Sequence, residues 1–303
     1  MKTALLLATS LALAPLAARA QPSKTAFEGA RFSSVAGFDG VPLNVVQNGE
    51  AGRPGVLFLH GYKQSYLSWT AQFGAELSQR CHLVAYDLRG HGNSGQPWQA
   101  SAYDNARPWA DDMAAVIKAS GLVKPLVVAW SFGGNVAMDF LRHHADVPIA
   151  GLVLVSSPAG LLTAPGSAPA NAPRPPLLDL AQGVAAAERS AQFVFGSGVE
   201  PALRAQLTAA SMRVGPYLDS AMVMRGAGAN ADLLPALTAL PLTLALGGRD
   251  PIVPTAVAQK LRAALPGARV VEFPEAGHAM FAEAGAAARF NAVLDELQCA
   301  GKR

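Results

Sequence analysis

The sequence predicts an α/β protein: a mostly parallel sheet flanked by helices on both faces, with a helical cap inserted late in the chain. Three observations predict it. Short apolar runs rich in β-branched residues alternate with helix-period segments through most of the 303 residues, the pattern of a parallel sheet covered on both sides. One run, Leu126 to Trp130, stops at Ser131 and passes through Gly133-Gly134 into a helical stretch. The alternation lapses only once, over residues 158–240, where helix-like pieces occur with no strand signal between them.

Taken in order, residues 1–20 read as a secretory signal peptide. Lys2 supplies the charged start, Leu5 to Leu13 the apolar core, and Ala18-Arg19-Ala20 a small-residue cleavage site before Gln21. The apolar run is short for a membrane span and carries Pro15. No cysteine follows the cleavage site to take a lipid. The mature chain is therefore expected to be exported, periplasmic or secreted, without a stable membrane anchor. Lys+Arg 24 against Asp+Glu 21 becomes 22 against 21 once Lys2 and Arg19 leave, and no basic cluster appears. That balance argues against a nucleic-acid partner.

Phe32 to Ala36 and Val41 to Val46 flank the turn signal Asp39-Gly40 and read as a hairpin. The strands that follow are Val56 to Leu59, Leu83 to Asp87, Leu126 to Trp130, Leu152 to Val155, Leu242 to Leu246 and Val270 to Phe273. Helical periodicity covers Trp69 to Gln79, Trp109 to Ala119, Asn135 to His144, Val257 to Leu265 and Phe281 to Leu297. Residues 21–157 and 241–303 thus form the sheet-bearing core, and 158–240 the cap. The cap opens with Pro158, Pro165, Pro169, Pro173, Pro175 and Pro176, a stiff lead-in. Helical pieces follow at Leu177 to Glu188, Pro201 to Ala210 and Tyr217 to Arg225, and Met212, Met222 and Met224 favour packing over a linker. Cys81 and Cys299 both belong at the sheet end remote from Ser131. In an oxidising compartment they can bond or stand as two buried thiols, and the sequence leaves both open.

A serine between a buried strand and a helix sits on a tight turn at the carboxyl edge of the sheet, where open α/β folds keep their ligands. Its neighbours must be small because strand and helix backbones converge, and Ala129 and Gly133 meet that need. The segment is a nucleophile elbow written A-x-S-x-G. A serine hydroxyl needs a base, and the base needs an acid to fix its tautomer. Asp250 follows the strand Leu242 to Leu246, His278 follows Val270 to Phe273, and the order Ser131, Asp250, His278 makes a complete triad. For the oxyanion, the Phe132 N–H is one expected donor. The second is the Tyr62 N–H, in the loop His60-Gly61-Tyr62, with Gly61 supplying unusual backbone angles. His60 is expected to bond nearby backbone and shape that loop.

Two patterns are set aside. Gly90-His91-Gly92-Asn93-Ser94-Gly95 spells G-x-G-x-x-G, but Pro97 and irregular sequence follow where a phosphate-binding helix should start. His143-His144 point apart on a helix and read as a solvated C-terminus rather than metal ligands. No cofactor or metal is called for. Tyr62, Phe132, Met280 and Phe281 flank the site in sequence and suggest an apolar pocket, although Phe281 equally suits the core. Arg213 and Arg225 in the cap are the cations able to approach an anionic substrate, but they form no evident clamp, so a small neutral ester or lactone is the expected substrate.

Leu59-His60-Gly61-Tyr62, Tyr86-Asp87-Leu88-Arg89-Gly90-His91-Gly92-Asn93-Ser94, the elbow, Gly248-Arg249-Asp250 and Gly277-His278 together resemble the α/β-hydrolase superfamily over nearly all of the mature length. Within it the chain resembles bacterial serine esterases and cofactor-free haloperoxidase-like (perhydrolase) enzymes. Ala129 departs from the commonest glycine. The resemblance implies an α/β-hydrolase fold and a serine hydrolase acting on carboxylic esters, which the leader of residues 1–20 would send out of the cytoplasm. Perhydrolase, lactonase or C–C hydrolase activity would use the same triad. Haloalkane dehalogenases and epoxide hydrolases of this fold carry an aspartate at the elbow, and Ser131 argues against both. A non-catalytic ligand-binding protein on the same fold is the rival from another class.

Overall fold

The computed structural model describes residues 26–165, 179–225 and 228–300. The expected signal peptide, Pro169 to Pro176 of the cap lead-in and Leu177 lie outside these. Among the described residues eight strands form one sheet in the order β1-β2-β4-β3-β5-β6-β7-β8. They are β1 (Arg31–Ala36), β2 (Pro42–Asn48), β3 (Gly55–Leu59), β4 (His82–Tyr86), β5 (Leu126–Trp130), β6 (Gly151–Val155), β7 (Leu242–Gly247) and β8 (Arg269–Phe273). The β1–β2 hairpin is antiparallel and β2 meets β4 antiparallel; every other pairing is parallel. The carboxyl ends of β3 to β8 therefore share one edge, and Ser131, Asp250 and His278 all follow strands at that edge.

Alternate residues of the central strands feed two cores. Leu57, Leu59, Val84, Tyr86, Val127 and Ala129 face one side. Val56, Phe58, Leu83, Ala85, Val128 and Trp130 face the other. Burying a side chain of this size stabilises by roughly 1.5–3 kcal/mol, and the two-sided apolar run is what marks these strands as internal. The helices are α1 (Thr70–Phe73), α2 (Arg107–Ala119), α3 (Phe132–His143), α4 (Leu180–Phe195), α5 (Pro201–Ser211), α6 (Pro216–Arg225), α7 (Leu234–Leu237), α8 (Thr255–Ala264) and α9 (Ala287–Leu294). In α2, Trp109, Met113, Val116 and Ile117 fall on one stripe and are buried. The first core also takes residues of α3 and α8, and the second residues of α1 and α9.

Several expected boundaries move. The segment 69–79 is no single helix: short 3₁₀ turns at Tyr66–Trp69 and Glu76–Gln79 bracket α1, whose C-cap is Gly74. The helix expected from Asn135 starts at Phe132, because the elbow turns directly into it and the glycines belong to its first turn. The helix expected from Phe281 begins at Ala287. Met280 and Phe281 instead drop into the second core, and Glu283 bridges to Val199. Cys81 and Cys299 are bonded, with Cα atoms 5.3 Å apart.

Helices α4 to α6 lie between β6 and β7 and pack on both sides of the elbow. Ala191, Phe195 and Leu207 join the core of Trp130, and Leu218, Ala221 and Met222 join the core against which Tyr62 and Phe132 rest. The insertion is stitched where it leaves and rejoins the sheet. Asn230 Nδ2 donates to Ala159 O at 2.8 Å and Asn230 N to Gly160 O at 2.9 Å. No helix among the described residues is long and apolar enough to cross a membrane.

Candidate active site

Ser131 stands between β5 and α3 with φ +51° and ψ −117°. That left-handed backbone costs a non-glycine residue on the order of 1–3 kcal/mol. The surroundings hold it there. Ser131 N donates to Val155 O at 3.0 Å, while Ser131 O accepts from Gly134 N at 2.9 Å and Ser157 Oγ at 2.6 Å. The need for a small residue two places on is met at Gly133, where a Cβ would lie 2.6 Å from Leu59 O and 3.0 Å from His60 O. The start of α3 is thus pressed against the end of β3 and its loop. Phe132 is the first residue of α3, so its N–H has no acceptor within the helix and lies at the positive end of the helix dipole.

Asp250 and His278 meet directly. His278 Nδ1–H donates to Asp250 Oδ2 at 2.9 Å and Oδ1 at 3.0 Å, and both side chains are 1% exposed. A carboxylate can only accept, so the proton sits on Nδ1 and Nε2 is left as the basic nitrogen. Asp250 Oδ1 also accepts from Ile252 N at 2.8 Å and Val253 N at 3.0 Å. Burial pushes the Asp250 carboxyl up. The His278 hydrogen bond and charge, with the Val253 N–H, outweigh burial and hold it below its usual range. Their loops are sewn together by Gly248 N to Phe273 O and Arg249 N to Ala276 O, each 2.9 Å. They are tied to the elbow through Trp130, the residue before Ser131. Its Nε1–H donates to His278 O at 2.9 Å and its ring centroid lies 5.6 Å from the imidazole.

The loop after β3 lies on the other side of the elbow. His60 does what its sequence context suggests: Nδ1 donates to Gly61 O at 2.8 Å and Nε2 accepts from Leu88 N at 2.9 Å. Burial and then the neighbouring His91 lower its basicity well below the ordinary histidine value, so it stays neutral. Gly61 is needed for space and not, as expected, for its backbone angles. Gly61 has no left-handed φ; a Cβ there would lie 3.0 Å from the Trp130 ring, and the left-handed residue of the loop is Lys63, φ +58°. The Tyr62 ring meets Phe132 edge-on at 6.1 Å. Its hydroxyl donates to Asp219 of α6, and Lys63 Nζ pairs with the same carboxylate at 2.8 Å.

Other expectations are revised. Met280 and Phe281 do not line a pocket; both are fully buried, and Phe281 packs on Trp69 and Trp130 at 4.5 and 4.9 Å. Tyr62 and Phe132 are only half-buried. Arg225 faces Asp139 of α3 and lies over the rings of Trp109 and Phe132, while Arg213 donates to Asn93. Residues 90–95 form an irregular loop closed by Gly90 N to Gly95 O, with no helix following directly. His143 is exposed as expected, but His144 is half-buried, stacked on Phe140 and paired with Asp111 at 2.7 Å. No group of three or more His, Cys, Asp or Glu among the described residues is arranged to hold a metal ion.

Sequence reasoning missed Trp130, whose indole N–H holds the His278 loop, although its place beside the nucleophile was a signal. It also missed Glu283, which accepts from Gly277 N at 2.8 Å, and Asp219. Neither carries a sequence signal, since each acts through a contact made only in the fold. Burial first, then the charge of Asp250, raises the Glu283 carboxyl against the pull of Gly277 N–H.

A family model described as the alpha/beta hydrolase family matches residues 56–292. The AB hydrolase superfamily protein YisY of Bacillus subtilis (strain 168) is 28% identical over 242 residues, 77% of this chain and 87% of its own. The bifunctional esterase/perhydrolase DCH of Acinetobacter calcoaceticus is 32% identical over 142 residues, 47% of this chain and 50% of that one. Among solved structures, the esterase RhEst1 from Rhodococcus sp. ECU1013 superposes with a TM-score of 0.75 at 25% identity, covering 88% of this chain and 97% of that one.

Proposed function

The chain belongs to the alpha/beta hydrolase family, and from that premise we propose that it is an exported serine hydrolase of small carboxylic esters, with Ser131, His278 and Asp250 as its triad. The observation that carries this is Ser131 itself, a non-glycine residue held at φ +51° on the strand–helix turn. Backbone strain of that kind persists where the surrounding structure fixes it, and it aims the hydroxyl outward at the sheet edge. The buried Asp250–His278 pair two and three strands away supplies the base such a hydroxyl needs.

In this reaction His278 Nε2 accepts the Ser131 proton as Oγ bonds to the ester carbonyl carbon. Asp250 holds the Nδ1–H tautomer and stabilises the imidazolium. The Phe132 and Tyr62 N–H groups take the oxyanion, a contribution of about 3 kcal/mol each. The carbon–alkoxide bond then breaks, and the leaving oxygen takes the proton from His278. Water, deprotonated by His278, then bonds to the acyl carbon; the bond to Ser131 Oγ breaks, Oγ takes the proton back from His278, and the acid departs. The half-buried rings of Tyr62 and Phe132 suit a neutral ester or lactone, and Arg225 and Arg213 are engaged with Asp139 and Asn93. Residues 158–240 act as the cap. The relative named as both esterase and perhydrolase favours one second reading, in which peroxide replaces water at the acyl-enzyme. Peroxide-dependent halogenation in acetate buffer reads that activity.

The test is a panel of chromogenic esters and lactones of graded acyl length, run beside Ser131→Ala. Turnover should fall by a factor on the order of 10⁶ in the variant. Comparable turnover by Ser131→Ala would refute the nucleophile. Export is supported by the composition of residues 1–20 and by the Cys81–Cys299 bond, which suits an oxidising compartment.

A further inference from the structure

We infer that Asp219, in the cap helix α6, is a positioning residue for the oxyanion loop, so that the cap must be seated for the catalytic edge to be complete. The inference rests on the proposed esterase reading, in which the Tyr62 N–H binds the oxyanion.

On its outer side the loop is held by the cap. The Tyr62 hydroxyl donates to one oxygen of Asp219, and also lies 3.3 Å from the Asp219 backbone carbonyl. Lys63 Nζ lies 2.8 Å from the other carboxylate oxygen. One carboxylate therefore grips the side chain of Tyr62, whose N–H is the proposed donor, and that of the residue after it. It does so across more than 150 positions of sequence, from an element outside the sheet. Lys63 is the residue in that loop with left-handed φ, +58°. It is the third residue of a turn closed by Gln64 N to Gly61 O at 3.2 Å, and the Asp219 ion pair fastens that turn to the cap through the Lys63 side chain. The next residue is also taken by the cap: Gln64 Nε2 reaches Leu207 O of α5, at 3.5 Å.

Asp219 is well placed to hold the loop. It is 9% exposed, it lies in the first turn of α6, and its N–H donates to Gly215 O at 2.9 Å. Its neighbours Leu218 and Met222 are buried in the core that Tyr62 and Phe132 rest against. On the opposite side the loop meets Trp130, which a Cβ on Gly61 would touch. The Tyr62 peptide is thus held between the elbow and the cap. Oxyanion donors act through placement at the developing charge, and a small misplacement costs much of their effect. Asp219 touches no reacting atom in this scheme. It sets where one donor points.

The experiment compares wild type with Asp219→Ala, Asp219→Asn and Asp219→Glu, using a chromogenic acetate ester, a trifluoromethyl ketone that forms a tetrahedral adduct on the serine, and a fluorophosphonate that labels it. Asp219→Ala should lower kcat by ~10- to 100-fold, less than deletion of an oxyanion donor, with KM within about threefold. Trifluoromethyl ketone affinity should weaken by the same factor as kcat, while a non-reactive substrate-like amide binds as before. Asp219→Glu should recover part of the loss. Asp219→Asn keeps a hydrogen-bond acceptor without the charge and should fall between; it serves if Asp219→Ala does not fold. Unchanged kcat and labelling rate in a folded variant would overturn the assignment while leaving the esterase reading intact. A fall in kcat without weaker ketone binding would also overturn it. A wild type that neither turns over esters nor is labelled at Ser131 would overturn the esterase reading, and the assignment with it.

Discussion

At the scale of single residues, the site depends on groups held in states they would not choose alone. Ser131 is strained, and Asp250 is ionised although buried. The Asp250 carboxyl lies below its ordinary range because His278 and the Val253 N–H outweigh burial. A depressed folded value means that the unfolded chain binds the proton first as pH falls. Asp250 therefore contributes stability that is fully present above the unfolded value, about 3.9, and is lost as pH falls through the lower folded one. Asp250→Asn removes both this and the tautomer control on His278. Its kcat should fall by about 10⁴. Its stability deficit against wild type, from urea unfolding, should be constant near neutrality and shrink below pH 4. A deficit that is flat down to the acid unfolding of wild type would contradict the assigned charge on Asp250. The neighbouring histidines have no such role. His91 is pushed down to about 4, chiefly by burial, and His60 is spent on Gly61 O and Leu88 N–H.

At the scale of elements, the decisive approach is that of α3 to β3. Gly133 permits it, since a methyl there would meet backbone oxygen at 2.6 Å rather than a side chain able to swing away. Gly133→Ala should cost about 1–3 kcal/mol by overpacking. It should also reduce kcat, because the displaced atoms, Leu59 O and His60 O, lead straight into the loop proposed to bind the oxyanion. Thermal unfolding with ester turnover checks both, and wild-type values in both would show that the loop yields freely. The same elements show what was readable in advance. The strands were legible because runs such as Leu126 to Trp130 are apolar on both faces. That Ser131, Asp250 and His278 lie along one edge of the sheet was legible because each follows its strand within a few residues. What could not be read is contact between distant segments. Nothing in the Phe281 to Leu297 periodicity says that Phe281 will leave the helix and pack between Trp69 and Trp130. Nothing near Gly61 announces that its space is needed for an indole from β5 rather than for its own dihedral angles. The contacts of Asp219 and the Arg225–Asp139 pair likewise exist only once the insertion is seated. The cysteines lie between these cases: their remoteness from Ser131 was legible, but their pairing was not.

At the scale of the molecule, chemistry and fastening sit at opposite ends of the sheet. The carboxyl edge carries the strained serine, the Asp250–His278 pair and a loop held by the cap. The amino end carries the Cys81–Cys299 bond, joining the residue before β4 to the π turn after α9 across 218 positions of sequence. Cys81 is fully buried and Cys299 nearly so, and Arg80 pairs with Asp295 at 2.8 Å beside them. A loop of that length removes much conformational freedom from the unfolded chain, and the bond should stabilise by about 2–5 kcal/mol. The paired variant Cys81→Ser/Cys299→Ser should accordingly melt lower by on the order of 5–15 °C. Its kcat and KM at 25 °C should match wild type, because no strand end that bears the site is touched. If the chain is exported as proposed, intact-mass measurement of the protein from its native host should find it starting at Gln21 with both cysteines oxidised. A mass that retains residues 1–20 would refute export with leader cleavage, and two free thiols in that material would refute the bond. A variant that melts like wild type would show that α9 is held to β4 by packing alone, and that the bond reports the compartment rather than sustaining the fold.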